Sequence, residues 1–102
     1  MNIKFAYLYR DADNYKLFNY VVMSNTSAIP LVELATLIRK SLISSEFFDP
    51  IKLGVPKLEF PEYDFEVDHD WHEYDYVSST EDECTIKLDV LDLITLLARN
   101  LH

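Results

Sequence analysis

The sequence predicts an α+β fold in which two helices pack on one face of an antiparallel sheet. Two neighbouring runs near the N-terminus are rich in aromatic and β-branched residues, as strands are. Two other segments place apolar residues at helical spacing, and a further segment alternates acidic with mostly aromatic or aliphatic residues, as a half-exposed strand does. The order is β-β-α-loop-β-β-α, and 102 residues are enough for one hydrophobic core, so we expect a single domain over residues 1–102.

The N-terminal third predicts a hairpin followed by a helix. Residues 3–10 and 15–23 are the two strand-like runs, and the turn-forming stretch 11–14 separates them. Residues 25–27 offer side chains that can cap a helix, and Pro30 suits a first helical turn. Apolar residues then recur every three or four positions, which predicts a helix over residues 29–43.

The middle of the chain predicts an ordered, extended loop that leads into an acidic strand. Residues 49–61 hold three of the four prolines and the only glycine, so we expect neither helix nor central strand there. From residue 62 to residue 70 every even position is acidic, which predicts a strand with one exposed face. The alternation reverses after His72, so a bulge or tight turn is expected near residues 70–72.

The C-terminal part predicts a polar loop and a second helix. Residues 78–83 are polar, and the apolar stripe from Val90 to Leu101 has helical spacing. Asp89 or Thr85 can cap this helix at its start. Its apolar run is broken by charges and is too short to span a membrane, and no signal-peptide pattern begins the chain, so a cytoplasmic protein is expected.

The charge of the chain is concentrated in one segment. The formal net charge is −9, and residues 58–86 hold eleven acids without one lysine or arginine, whereas the rest of the chain has nine bases and seven acids. An acidic surface repels phosphates, so nucleic acid and anionic membranes are disfavoured as direct ligands. A basic protein surface is therefore the expected partner.

Enzymatic chemistry finds little support in the residue pattern, and no cofactor or catalytic residue is expected. A single glycine cannot supply a phosphate-binding loop, and no G-x-S-x-G elbow is present. The lone Cys84 has no partner for an internal disulfide, and a single thiol is most often a small core residue.

A metal site is the main alternative chemistry. Imidazole and carboxylate groups of the kind that zinc, manganese or iron accepts are clustered in one run, formed by Asp68, His69, Asp70 and His72. Side chains two residues apart on a strand are separated by about 6.6 Å, however, which suits a row of charges better than a metal cage.

The leading hypothesis is a non-enzymatic interaction protein whose acidic strand region docks on a basic partner. Its predicted partner-binding residues are Glu62, Asp64, Glu66, Asp68, Asp70, Glu73, Asp75 and Trp71. Such a row can imitate a nucleic-acid backbone and inhibit a nucleic-acid-binding or defence complex of the restriction or CRISPR type, although DNA carries its charges more densely, about 3.4 Å apart on each strand. A third hypothesis is an antitoxin-like oligomerisation module, with a homodimer formed through the exposed edge of the hairpin over residues 3–23.

Three stretches carry a resemblance to a group of short acidic bacterial and phage proteins. They are YLYRDADNYK (7–16), SSEFFDPIKLGVPKL (44–58) and DHDWHEY (68–74). The resemblance implies a bacterial or phage source, and the group has no known activity, ligand or catalytic residue to carry over to this chain. In size and charge alone, the chain is similar to phage-encoded inhibitors of restriction or CRISPR systems, many of which are small and acidic.

Overall fold

The computed structural model describes residues 1–61 and 69–99, which form a four-stranded antiparallel sheet and three helices. In chain order the elements are β1 (Asn2–Arg10), β2 (Lys16–Met23), α1 (Leu31–Ser41), β3 (Phe47–Phe48), α2 (Pro50–Leu53), β4 (His72–Thr80) and α3 (Val90–Arg99). The predicted α+β class is confirmed. The predicted strand over residues 62–70 falls mostly outside the described residues, and residues 69 and 70 are not in a strand.

The strand order in the sheet is β2-β1-β4-β3, so β1 and β4 are central and β2 is an edge strand. β1 and β2 form the predicted hairpin, from Ile3 opposite Met23 to Arg10 opposite Lys16. In the turn, Asp11 Oδ1 accepts hydrogen bonds from the N–H groups of Asp13 and Tyr15, at 3.0 and 2.8 Å. These Asx-type bonds account for the turn-forming composition of this stretch.

One face of the sheet forms the core with the helices. The buried apolar side chains of this core come from alternate positions of β1, β2 and β4 and from the inward faces of the helices: Ile3, Phe5, Tyr7, Val21, Met23, Tyr74, Leu34, Ile38, Leu53, Val90, Leu93 and Leu97. The odd positions of β1 and β2 supply this core, so their even positions face the opposite side of the sheet, which we call the open face.

Both long helices lie where the periodicity predicted them, but the two helices are capped differently at their N-termini. Pro30 occupies the N-cap position of α1 and makes no side-chain cap bond. Asn25 instead binds the N–H and C=O of Ile29, at 3.1 and 3.0 Å, so it fixes the approach to the helix. For α3, Asp89 Oδ2 accepts from the N–H of Leu91, while Asp92 Oδ2 accepts from the N–H of Asp89. This reciprocal cap at Asp89 agrees with the predicted helix start.

Two predicted loops are partly wrong. Within residues 49–61 the structure has the short helix α2, because Asp49 caps it, Pro50 occupies its first turn and Gly54 ends it in the left-handed conformation, at φ 76°. The prolines and the glycine thus delimit a helix as well as a loop. Residues 78–80 belong to β4, since the backbone pairs with β1 as far as Asn2 opposite Thr80.

A register irregularity lies within β4, further along the chain than the one predicted near residues 70–72. Ala6 lies opposite Tyr76 and Tyr7 lies opposite Tyr74, so Asp75 is an extra residue that forms a bulge in β4. The predicted irregularity near residues 70–72 stays a prediction, because residues 62–68 lie outside the described residues and residues 69–71 are in no strand. Because of the bulge, Tyr74 faces the core and Tyr76 faces the open side of the sheet.

No helix among the described residues has the length and apolarity needed to cross a membrane. Cys84 is exposed rather than in the core.

Candidate partner-binding surfaces

The predicted docking residues divide into two groups. Glu62, Asp64, Glu66 and Asp68 lie outside the described residues. Asp70, Trp71, Glu73 and Asp75 lie inside them, around the start of β4, and the structure places these four in different surroundings.

Glu73 is not part of an exposed acidic surface, which corrects the prediction for this residue. It is only 6% exposed and lies opposite Leu8 of β1. Arg10 donates to both of its carboxylate oxygens, from Nε at 2.9 Å and from Nη2 at 3.3 Å. The hydrogen bond with Glu73 raises the pKa of Arg10 above its ordinary value. This bidentate ion pair is an internal contact between the two central strands, so the Glu73 side chain is not accessible to a partner protein.

Asp75 and Trp71 are exposed, as the docking hypothesis requires. Asp75 projects from the bulge, and Trp71, just before β4, is 46% exposed. Asp70 has a side chain that is 63% exposed and lies 3.0 Å from Nζ of Lys57. A surface ion pair of this kind contributes about 0–1 kcal/mol.

Trp71, Asp70 and Asp49 line one shallow cleft, which we call the acidic corner. Asp49 is held in place because its Oδ1 caps α2 through the N–H of Ile51, at 3.0 Å. On the other side, Nδ1 of His69 accepts from the N–H of Trp71 at 3.1 Å, and Tyr9 donates its hydroxyl to the carbonyl of His69 at 2.7 Å. The corner therefore joins an aromatic ring to two carboxylates on a backbone that local hydrogen bonds fix.

His72 lies beneath the acidic corner and is completely buried. Its Nε2 accepts from the N–H of Leu58 at 2.9 Å, which places the ring proton on Nδ1, 3.0 Å from the carbonyl of Asp70. The ring also contacts three aromatic side chains, with centroid distances of 5.2 Å to Tyr9, 6.0 Å to Tyr7 and 6.2 Å to Phe48. The neutral imidazole thus links the loop before residue 61 to the start of β4.

Burial lowers the pKa of His72 below its ordinary value. The Lys57 charge acts in the same direction, whereas the hydrogen bond to the Asp70 carbonyl and the charges of Asp49 and Asp70 act to raise the pKa but do not compensate. Desolvation disfavours the imidazolium form, and this form would also set a second N–H against the N–H of Leu58.

The metal alternative loses one of its predicted ligands. Both ring nitrogens of His72 are occupied by main-chain groups, and Asp68 lies outside the described residues. Within residues 1–61 and 69–99, no group of three or more His, Cys, Asp or Glu side chains is placed to hold a metal ion. His72 is therefore a structural residue, which corrects its assignment as a ligand candidate.

A second exposed surface lies on the open face of the sheet and was missed by the sequence analysis. Phe18, Tyr20 and Tyr76 are 65%, 47% and 44% exposed, and they surround the small side chain of Ala6. Nζ of Lys4 lies 4.2 Å from the ring centroid of Tyr20 and 5.7 Å from that of Tyr76. Lys16, Phe18 and Tyr20 occupy alternate positions of β2, so they share one face of the sheet, but the residue order alone does not show that this face is exposed.

Comparison with known proteins finds no match for this chain among protein-family models, curated proteins or solved structures.

Proposed function

We propose that this protein is a non-enzymatic acidic interaction protein that binds a basic partner protein. The observation that carries the proposal is the acidic corner, where the half-exposed ring of Trp71 lies beside the carboxylates of Asp49 and Asp70. A lysine or arginine of a partner is attracted to the face of a tryptophan within about 6 Å of its centroid, and adjacent carboxylates accept its N–H groups. An exposed tryptophan also provides the kind of anchor that dominates binding energy at protein interfaces.

The distribution of charge supports the same kind of partner. Asp75 and the run Glu81-Asp82-Glu83 are exposed, and they belong to the segment 58–86 that carries eleven acids without lysine or arginine. A field of one sign speeds the encounter with an oppositely charged surface, while the aromatic anchor slows dissociation. Electrostatic steering and the Trp71 contact are therefore separable contributions.

The finer form of the proposal is that the partner is a nucleic-acid-binding or defence complex of the restriction or CRISPR type, which the protein inhibits by imitating nucleic acid. A basic groove that evolved to hold phosphates suits a surface of closely spaced carboxylates. The protein and a nucleic acid then compete for one groove on the partner, and this competition separates an inhibitor from a general acidic adaptor.

The test is capture of partner proteins from the native cytoplasm at low and at high salt. A variant with Asp70→Ser, Trp71→Ala and Asp75→Ser should lose a basic partner that the unaltered protein retains at low salt. The matched control is Asp13→Ser with Glu33→Ser, which removes the same amount of charge from exposed positions on the hairpin turn and on α1. This control should retain the partner, because the acidic corner is intact.

The outcome that contradicts the proposal is a partner that survives high salt or binds the two variants equally well. Adding duplex DNA or RNA to the captured complex then tests the finer form. If the protein is a nucleic-acid mimic, added nucleic acid should release the partner. If the complex is unaffected, the inhibitor proposal is contradicted and the protein is an acidic adaptor.

A further inference from the structure

The outer edge of β2 is open over a short and well-defined length. Val22 uses its outward-facing backbone groups, because its N–H donates to Oγ1 of Thr85 at 2.8 Å and its C=O accepts from the N–H of Thr85 at 2.9 Å. Backbone direction alternates along a strand, so Lys16, Phe18 and Tyr20 also direct their N–H and C=O groups away from β1. Over residues 1–61 and 69–99, no strand or bridge pairs with this edge between Lys16 and Tyr20.

The two ends of the open edge fix its length. Beyond Tyr20, residues 85 and 86 cover the strand at Val22. Before Lys16, the chain enters the hairpin turn, where Asn14 has a positive φ of 69°. The open residues are therefore centred on Phe18, with one neighbour of the same backbone orientation on each side.

We propose that two copies of this protein pair through β2 as antiparallel strands, with a two-fold axis at Phe18. In this register Phe18 lies opposite Phe18 of the second copy, and Lys16 lies opposite its Tyr20. The N–H and C=O groups of all the open residues then find partners. Moving the strands by two residues, so that Lys16 lies opposite Phe18, leaves the outward groups of Tyr20 without a strand residue to pair with, because the turn begins there.

The side chains fit the same register. Lys16, Phe18 and Tyr20 project to the open face of the sheet, where Phe18 and Tyr20 are 65% and 47% exposed. The two-fold axis sets each Lys16 ammonium beside a tyrosine ring rather than beside a second lysine, and directly opposed side chains on antiparallel strands are close enough for such a contact. A lysine on an edge strand usually hinders pairing. In the proposed dimer, however, the two-fold symmetry places each Lys16 opposite a tyrosine, so the lysine makes a favourable contact with the second copy.

Self-association should respond to salt in the direction opposite to partner binding. Each copy carries a net charge of −9, so bringing two copies together costs electrostatic repulsion that salt screens. The dimer should therefore tighten as salt is added, whereas the acidic corner should release a basic partner. A failure of one proposal is thereby distinguishable from a failure of the other.

Disulfide trapping tests the register directly. In a Cys84→Ser background, which removes the exposed native thiol, Phe18→Cys should cross-link to a dimer under mild oxidation. The Cα atoms of directly opposed residues are about 5.5 Å apart, within the range of a disulfide. Tyr20→Cys is the matched control: in the proposed register its two copies are about 14 Å apart along the strands, so it should not cross-link alone. Mixed with Lys16→Cys, it should give the mixed dimer.

Analytical ultracentrifugation provides the second measurement. The unaltered protein should sediment as a dimer of 12.0 kDa chains, with a larger dimer fraction at high salt. Phe18→Pro should be monomeric with an unchanged circular dichroism spectrum, because it removes an N–H that points away from β1. A monomer at every concentration and salt tested overturns the proposal. Cross-linking of Tyr20→Cys as fast as Phe18→Cys overturns the register.

Discussion

Replacement of His72 by leucine should destabilise the protein by about 2–4 kcal/mol at neutral pH. The imidazole fills a fully buried site and provides a hydrogen-bond partner for the N–H of Leu58 and the C=O of Asp70. Leucine conserves much of the apolar volume, so the main cost is that of leaving two partly buried main-chain groups without partners, at about 1–3 kcal/mol each. The two groups together would cost about 2–6 kcal/mol, and partial access of water to Asp70 places the expected loss in the lower half of that range, at about 2–4 kcal/mol.

The pH dependence of this cost follows from the lowered pKa of His72. The folded protein binds the proton of His72 less readily than the unfolded chain, in which the ordinary value of 6.5 applies. The stabilisation from His72 is therefore complete above pH 6.5 and is lost as the pH falls from there through the lower folded pKa. Within that window, one proton changes the free energy of unfolding by at most about 1.4 kcal/mol per pH unit.

Urea unfolding of the unaltered protein and of His72→Leu between pH 5 and pH 8 measures both effects. The difference between the two free energies of unfolding should be constant above pH 6.5 and should shrink below it, because the carboxylates titrate in both proteins and cancel. His69→Leu serves as the control, since His69 is exposed and accepts one local hydrogen bond. A difference that stays flat across this range, or a variant as stable as the control, would refute the structural role of a neutral His72.

Two further substitutions test other local features of the fold. Asp89→Ala should lower the free energy of unfolding by about 2 kcal/mol, because it removes the cap of α3 together with the hydrogen bonds from Ser24 and Thr26. The control Asp92→Ala should lower it by about 0.5 kcal/mol. Urea unfolding measures both losses, and equal losses would contradict the central role of Asp89. Gly54→Ala should lower the free energy of unfolding by about 1 kcal/mol in the same assay, because the left-handed φ of 76° disfavours a side chain. The cost is one of backbone conformation, since the added Cβ meets no neighbouring atom within 4 Å among the described residues. An unchanged stability would show that α2 ends differently.

Asp89 makes long-range hydrogen bonds in addition to the local helix cap that its sequence position predicted. The sequence predicted it as a helix cap, and the structure confirms that role. Its Oδ1 also accepts from Ser24 Oγ and from the N–H of Thr26, at 2.8 and 2.9 Å. Partial burial acts to raise the pKa of Asp89, but these hydrogen bonds and the one from Leu91 outweigh it and lower the pKa below its ordinary value. The long-range bonds could not be inferred, because they depend on how β2 and α3 meet.

The acidic segment shows where local alternation fails. Glu73 and Asp75 are two residues apart, and a regular strand would place them on one face. Glu73 lies opposite Leu8 and its side chain forms an ion pair with Arg10, whereas Asp75 is the extra residue of the bulge and is exposed. The reversed alternation within the run from 60 to 77 predicts an irregularity, but the extra residue at Asp75 is defined only by the pairing of β4 with β1.

The sequence by itself determined the α+β class, the first hairpin, the two amphipathic helices and the concentration of charge in residues 58–86. The strands and helices follow from the local periodicity of apolar side chains, and the concentration of charge follows from composition alone. Only the tertiary structure decided that His72 is a neutral internal link, that Glu73 is buried with Arg10, and that β2 is an edge with exposed aromatic rings. These properties depend on which strands become neighbours, because burial and hydrogen bonding are set by contacts between residues about 60 positions apart in the chain, such as Arg10 and Glu73.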